Sequence, residues 1–263
     1  MRIGYIDGAA LEAELESLSS HLGGLELDFD RRSFIGQILG CDRVFYYDSL
    51  PVKRVEESNE EFESRLAAKQ EVFRKLAANS NIHVKNGSAR YNRRRGLHQK
   101  GVDVLLATDA LYDALTGVSK EAVFLLSDLD FYPIFDRLAH SQARTVLIYW
   151  KGVTSSDMIE VSDSAREINY WELIEHLGGG QREAVLPYTE GGVVNPLSEA
   201  ERELAVDGMV DDTPCCFWFD PRTRLYHGWL ATQRIRTPYK RICLDFWTRG
   251  ATHRLNFDES RLP

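Results

Sequence analysis

The chain has 263 residues, of which 43% are hydrophobic and 27% charged, and its formal net charge at pH 7 is −8. This length suits one large domain, or one medium domain with an appendage. The composition is that of a soluble globular protein, and no apolar run is long enough to cross a membrane.

The N-terminal residues and the cysteines both indicate a cytoplasmic protein. The sequence opens MRIGYIDGAALEAELESL, a strand followed by an acidic helix, and not a basic segment with an apolar core and a cleavage site. Cys215 and Cys216 are adjacent, Cys41 and Cys243 are isolated, and no C-x-x-C spacing suggests zinc or redox chemistry. We therefore expect reduced thiols, a cytoplasmic location and no membrane partner.

Five short apolar or aromatic runs alternate with segments of helical spacing. The runs are RIGYI (2–6), RVFYY (43–47), IHVK (82–85), AVFLL (122–126) and TVLIYW (145–150). The helical segments between them include LEAELESLSSHL, EEFESRLAAKQEVFRKLAAN, VDVLLATDALYDAL and YPIFDRLAH. This alternation predicts an α/β fold with a mostly parallel sheet that helices cover on both faces.

Two of the predicted strands end in acidic residues. GYID ends in Asp7, and FLLSDLD ends in Asp128 and Asp130. Ligands of such sheets bind beyond the carboxyl ends of the strands, so these side chains converge if the first and fourth strands are neighbours. A carboxylate cluster suits Mg²⁺ or Mn²⁺, which prefer oxygen ligands. Each acid has a simpler alternative role, as a turn residue, helix cap or loop residue.

Three blocks of the sequence resemble the NYN domain, a PIN-like family of metal-dependent ribonucleases. The blocks are YIDGAAL, QKGVDVLLATDAL and LLSDLDFYPIFDRL, and together they cover about residues 1–175 in the order of the family. The resemblance implies a three-layer α/β/α fold with a five-stranded sheet of order 3-2-1-4-5. It also implies an acidic site that cuts RNA with Mg²⁺ or Mn²⁺. Matched by position, the catalytic and metal-binding residues are Asp7, Asp103, Asp128 and Asp130.

The chain departs from the family pattern at two positions. Ala10 stands where the family usually has Asn, and Ser127 where Gly is common. Asp109 lies six residues after Asp103, about 120° around a helix, so we expect Asp109, like Ser127, to support the ligands rather than contact the ion.

A basic run from His83 to Lys100 leads into the predicted metal site. It contains six Lys and Arg residues and no acid. A solvated surface loop is the simpler interpretation. As a functional alternative, a mobile loop with Arg93, Arg94, Arg95 and Lys100 would bind RNA phosphates.

The C-terminal part changes in pattern and in charge. We predict a PIN-like domain at 1–178, a Gly- and Pro-containing linker at 179–199, and a small basic β-rich module at 200–263. Residues 221–254 contain eight Lys and Arg residues and one acid, a net charge of +7. The aromatic residues among them either stack on single-stranded RNA or form the core of the module; they are Trp218, Tyr226, Trp229, Tyr239 and Trp247.

The sequence therefore favours a metal-dependent endoribonuclease whose partner is RNA, single-stranded or structured. A non-catalytic RNA-binding or regulatory protein with the same fold is an alternative, consistent with Ala10. A phosphatase or DNA nuclease would use the same acids. The oligomeric state is open, with a homodimer as one alternative.

Overall fold

The predicted alternation of strands and helices is present in the computed structural model, which describes residues 1–92, 96–150, 152–190, 197–231, 233–248 and 255–263. For residues 88–92, 96–100 and 190 the description covers the backbone. The chain forms two compact units, one of residues 1–14 and 31–167 and the other of residues 15–30 and 168–263. The domain bounds that the sequence suggested stay a prediction, because compactness alone does not show which segments fold independently.

The elements of the first unit follow one another in the order expected of a parallel α/β sheet. They are β1 (Arg2–Asp7), α1 (Gly8–His21, which continues into the second unit), α2 (Arg31–Leu39), β2 (Arg43–Asp48), α3 (Asn59–Ala77), β3 (Ile82–Asn86), β4 (Ser88–Asn92), β5 (Gly96–Lys100), α4 (Val102–Leu115), β6 (Glu121–Leu125), α5 (Tyr132–Leu138), β7 (Arg144–Trp150), α6 (Ser156–Val161) and β8 (Ser164–Ile168). A 3₁₀ turn, Leu129–Phe131, precedes α5.

The main sheet has six strands in the order β3-β2-β1-β6-β7-β8. All five predicted strands are confirmed, and β1 pairs in parallel with both β2 and β6, so that Tyr5 lies between Phe45 and Phe124. The first and fourth predicted strands are therefore neighbours, as expected. The sheet has one strand more than predicted, because β8 joins at the edge beside β7.

Helices cover both faces of this sheet. On one face, Tyr5 and Phe124 pack with Phe135 of α5 in a cluster that also includes residues of α4 and α6. On the other face, Tyr46 of β2 contacts Phe73 of α3 edge to face. Successive residues of a strand point to opposite faces, and the continuous burial of Ile3–Asp7 provides both layers with apolar side chains. The three-layer α/β architecture is thus confirmed.

The segment expected to be a basic loop contains a hairpin. Strands β4 and β5 pair antiparallel, with Ser88 opposite Lys100 and Asn92 opposite Gly96. They form a separate two-stranded sheet that leads directly into α4. The segment predicted as a surface loop therefore includes two paired strands that the sequence analysis did not predict.

The second unit contains an antiparallel sheet, which confirms the predicted β-rich C-terminal region. The elements are α7 (Tyr170–Ile174), α8 (Gln181–Val185), β9 (Tyr188–Glu190), α9 (Glu199–Leu204), β10 (Val206–Val210), β11 (Thr213–Asp220), β12 (Leu225–Leu230), β13 (Gln233–Thr237), α10 (Lys240–Asp245) and β14 (Leu255–Asn256), with 3₁₀ turns at Phe246–Thr248 and Glu259–Arg261. The strands of the sheet run in the order β14-β10-β11-β12-β13-β9.

Two of the tryptophans considered for RNA stacking belong to the core of this unit. Trp218 is 1% exposed and stacks on His227, with ring centroids 4.9 Å apart. Trp247 is also buried, and it contacts Phe246 edge to face. For these two residues the interpretation as core is the correct one. Within the described residues, no helix has the length and apolarity to cross a membrane.

Candidate functional site

Asp7 ends the central strand β1 at the carboxyl edge of the sheet. Its Oδ1 accepts a hydrogen bond from the backbone N–H of Ala9 at 2.9 Å, so it also caps the start of α1. The next residue, Gly8, permits the helix to begin here, because a Cβ at this position would lie 2.6 Å from Oδ2 of Asp48. The carboxylate of Asp7 is therefore fixed in position and is only 9% exposed.

The surroundings of Asp7 raise its pKa from an ordinary value of 3.8 to about 6. Burial is the largest cause, and the negative charges of Asp103 and Asp48 add to it, while N–H groups of Ala9 and Ala10 act in the opposite direction. A buried carboxylate with like charges nearby favours its neutral form. This shift places Asp103 and Asp48 within electrostatic range of Asp7.

Asp103 lies in the first turn of α4 and faces solvent. Gly101, two residues before Asp103, turns the chain from β5 into the helix. Its φ of 88° is in the left-handed region, which favours glycine. Partial burial raises the pKa of Asp103, and the charges of Asp128 and Asp130 raise it further. Asp103 is thus coupled to Asp7 on one side and to the Asp128–Asp130 pair on the other.

Asp128 and Asp130 follow β6 at the same edge of the sheet. Oδ1 of Asp128 accepts a hydrogen bond from the N–H of Asp130 at 2.9 Å and caps the 3₁₀ turn. Both side chains are exposed. No described residue forms an ion pair with any of the four predicted carboxylates. We refer to Asp7, Asp103, Asp128 and Asp130 as the acidic cluster.

The acidic cluster offers carboxylate oxygens, which are the ligands that Mg²⁺ and Mn²⁺ prefer. Burial, and then the negative charges of neighbouring carboxylates, raise the pKa values of Asp7 and Asp103. In the part of the chain that is described, however, no three His, Cys, Asp or Glu side chains come close enough together to hold an ion. A metal at this site therefore stays a prediction.

Asp48 is a carboxylate at this edge that the sequence analysis missed. It ends β2 beside Asp7 and is 2% exposed. Lys69 of α3 places Nζ 2.5 Å from its Oδ2, and the N–H of Ser49 donates to Oδ1 at 2.7 Å. The sequence does indicate Asp48, because it directly follows the apolar run RVFYY, just as Asp7 directly follows GYI. Unlike Asp7, Asp48 is neutralised by a cation of the chain itself.

Asp109 is positioned by the sheet. Its Oδ2 accepts a hydrogen bond from the hydroxyl of Tyr47 at 3.0 Å and lies 3.5 Å from Nζ of Lys85. Ser127 is partly buried and directly precedes Asp128. Ala10 is buried in the first turn of α1. The structure does not test whether Asp109 and Ser127 support metal ligands.

The predicted RNA-binding residues lie mostly beyond what the structure describes. Arg93, Arg94 and Arg95 lie outside the described residues. Lys100 is the last residue of β5, and its backbone pairs with Ser88. Their role in binding RNA stays a prediction.

Comparisons with known proteins agree with the family suggested by the sequence blocks. The NYN domain model matches residues 24–169, a stretch that includes Asp103, Asp128 and Asp130 but begins after Asp7 and Ala10. A crystal structure of a protein of unknown function from Vibrio parahaemolyticus is similar at 15% sequence identity and a TM-score of 0.45, and the match covers 64% of this chain and 93% of that one. No curated protein matches the chain.

Proposed function

Because this chain belongs to the NYN domain family, a family of PIN-like ribonucleases, we propose that it is a metal-dependent endoribonuclease that hydrolyses RNA phosphodiester bonds at the acidic cluster. The observation that carries the proposal is the coupling of Asp103 to Asp7 and to the Asp128–Asp130 pair at the carboxyl edge of the sheet. We further propose Mg²⁺ or Mn²⁺ as the cofactor, RNA as the partner and the cytoplasm as the location.

The chemistry requires a way to offset negative charge. A phosphodiester is anionic and is attacked slowly by water, and a bound divalent ion neutralises its oxygens and lowers the pKa of a water molecule. Asp7, Asp103, Asp128 and Asp130 would hold that ion. Asp7 contributes from a buried, fixed position, whereas the other three are exposed and accessible to a polymer.

An RNA-binding protein without nuclease activity is the second candidate. Two observations favour it. Ala10 provides no side-chain polar group beside Asp7, and the described acids do not form a group of three at distances suited to an ion. This candidate predicts RNA binding without cleavage in either Mg²⁺ or Mn²⁺.

The test is cleavage of end-labelled RNA by the purified chain with Mg²⁺, with Mn²⁺ and with EDTA. Two other substrates are included: cleavage of DNA of the same sequence would indicate a DNA nuclease, and hydrolysis of a phosphomonoester would indicate a phosphatase. We expect RNA alone to be cut and Asp128→Asn to abolish the cutting, because it removes a ligand charge with little change in volume. Asp136→Asn, at an exposed acid of α5, is the matched control and should leave the rate unchanged.

Two results would contradict the proposal. If Asp128→Asn stays within a few-fold of the natural chain while EDTA still blocks cleavage, Asp128 is not a ligand. If the natural chain binds RNA but cuts none of it with either ion, the second candidate is correct.

A further inference from the structure

The outer face of α4 is a row of uncharged side chains. Val104, Tyr112 and Leu115 are 69%, 65% and 71% exposed, and Thr108 is exposed as well. At 3.6 residues per turn, these four positions lie within about 80° of the helix circumference. Single exposed apolar residues are ordinary, but a row of them on one helix indicates a binding surface. We refer to these residues and two partly buried neighbours as the α4 stripe; the neighbours are Ala107 and Leu111.

The polar groups of α4 do not interrupt the α4 stripe. Asp109 accepts a hydrogen bond from the hydroxyl of Tyr47, and Asp113 accepts one from the hydroxyl of Tyr5 at 2.9 Å. Both acids therefore turn toward the main sheet. The hydroxyl of Thr108 donates to the backbone carbonyl one turn earlier at 2.6 Å, so it needs no water molecule. A partner can cover the stripe without burying a charge.

The spacing of the α4 stripe fits a second helix. Val104, Thr108, Leu111 and Leu115 alternate steps of four and three residues. This alternation is the seam that two helices form when they cross at about 20°. The occupant that the stripe accommodates is therefore a helix with a matching uncharged face.

The α4 stripe matches itself when two copies of α4 run antiparallel. With the two-fold axis between Asp109 and Ala110, every apolar position of one copy meets an uncharged position of the other, and each contact occurs twice. The larger side chains of the middle turns then face smaller ones. The pairs are Val104 with Leu115, Tyr112 with Ala107, and Leu111 with Thr108.

Charge also favours a second copy in this orientation. The chain has a net charge of −8, so many contacts between two copies bring like charges together. The α4 stripe avoids this, because its six residues are uncharged. The two copies of Asp103 lie at opposite ends of an antiparallel pair, roughly 20 Å apart, which is more than the screening length at physiological salt.

We propose that the α4 stripe binds the α4 stripe of a second copy of the chain, antiparallel and about a two-fold axis. The proposal does not depend on the acidic cluster being a metal site. The stripe is roughly 16 Å long and 10 Å wide, smaller than the face of about 800 Å² that a standard interface buries on each partner. The dimer is therefore weak and reversible.

Sedimentation velocity of the full chain over a range of protein concentrations, without RNA or metal, tests the proposal. The natural chain should shift from monomer to dimer as its concentration rises. Val104→Glu and Leu115→Lys place charges that suit the two ends of the helix dipole, so both variants should fold. Each should raise the Kd of the dimer at least about tenfold, because its charge is buried without a partner. The matched control is Val55→Glu, at an apolar residue that is 75% exposed outside α4.

Restoring the pairs identifies the orientation. In the antiparallel dimer Glu at one position faces Lys at the other, so the double variant Val104→Glu with Leu115→Lys should regain the dimer. An equal mixture of the two single variants should also associate, whereas neither does so alone. The single substitutions change the net charge in opposite directions, so their common effect cannot come from overall repulsion.

Three results would overturn the proposal. A natural chain that stays monomeric at every concentration has no such interface. A dimer that both single substitutions leave intact uses another surface. A dimer that both substitutions disrupt, and that neither the double variant nor the mixture restores, is not antiparallel along α4. Tyr112→Ser, which adds no charge, is the further variant if a charged one fails to fold, and unchanged thermal melting shows that each variant is folded.

Discussion

Asp7 and Asp48 end neighbouring parallel strands, yet their partners differ. Asp48 is neutralised by Lys69 at 2.5 Å, whereas no described residue forms an ion pair with Asp7. Burial and like charge instead raise the pKa of Asp7 to about 6. Groups whose pKa values are strongly shifted concentrate at functional sites. Of these two neighbouring acids, Asp7 is therefore the one whose charge no described residue offsets by an ion pair.

His227 provides a second test at the scale of one residue, through the pH dependence of folding stability. Its ring is buried against Trp218, and neither of its ring nitrogens has a hydrogen-bond partner among the described residues. Burial, and then the charge of Arg234, lowers its pKa below the ordinary 6.5. As pH falls through 6.5, the unfolded chain therefore takes up a proton that the folded chain excludes, and stability decreases.

His227→Phe should remove this decrease, because phenylalanine keeps the stacking and cannot be protonated. Urea unfolding at pH 7.5 and pH 5 measures the free energy of unfolding of both proteins. Relative to the variant, this free energy should fall in the natural chain by at most about 1.4 kcal/mol per pH unit. The exposed His140→Phe is the control. An identical pH dependence of the natural chain and His227→Phe would show that His227 is not buried in its neutral form.

At the scale of elements, the ion pair between Lys69 and Asp48 connects α3 to β2. Removing one partner of a buried pair leaves an uncompensated charge, so Lys69→Met should lower the free energy of unfolding by about 3 kcal/mol. Arg74→Met, which breaks an exposed pair with Glu71 on the same helix, should cost about 0.5 kcal/mol or less. Denaturant titration compares the two, and equal decreases would mean that the Asp48 carboxylate is reached by water.

The paired strands β4 and β5 lead from the main sheet to Asp103, and in the sequence Arg93, Arg94 and Arg95 lie between them. Replacing all three by Ala should weaken RNA binding and reduce the log-log salt dependence by roughly one unit for each phosphate that the chain no longer neutralises. Fluorescence anisotropy at several salt concentrations measures this slope. The affinity for Mg²⁺ should not change. An unchanged slope would assign the run to ordinary solvated surface.

The sequence pattern was sufficient to predict the apolar strands of the main sheet, but it did not predict the polar strands. Four of the five predicted strands are apolar on both faces, as is typical of parallel strands covered by helices, and the edge strand β3, IHVKN, is mixed. In contrast, β8 reads SAREI and β4 reads SARYN, and such polar segments have no clear period. Asp7 at the end of β1, and Asp128 and Asp130 after β6, were found because they follow apolar runs. Asp48 also follows an apolar run. Its partner Lys69 is distant in sequence, so their ion pair could be recognised only from the folded structure.

At the scale of the whole molecule, a ligand that binds only the folded chain stabilises it by mass action. Mg²⁺ or Mn²⁺ at 100 times its Kd should add about 2.7 kcal/mol to the free energy of unfolding, and Asp128→Asn should abolish most of this gain. Thermal melting with and without each ion measures it.

The substitution Ala10→Asn extends the same experiment. If the acidic cluster is active, Ala10→Asn should raise the cleavage rate or leave it unchanged, because it restores a polar group beside Asp7. If metal stabilises the protein, no RNA is cut and Ala10→Asn creates activity, the natural site has lapsed. If neither metal nor the substitution has an effect, the acids are not a metal site.

The central position of β1 also determines when the site can form during synthesis. The strand emerges from the ribosome before its two neighbours, β2 and β6, which begin at Arg43 and Glu121. Pairings this distant in sequence form slowly, since a long loop must close before they contribute. Until β6 has emerged, one edge of β1 is unpaired and open to aggregation. We therefore expect a nascent chain that stalls before residue 121 to depend on chaperones, whereas one released after residue 150 can complete the sheet around Asp7.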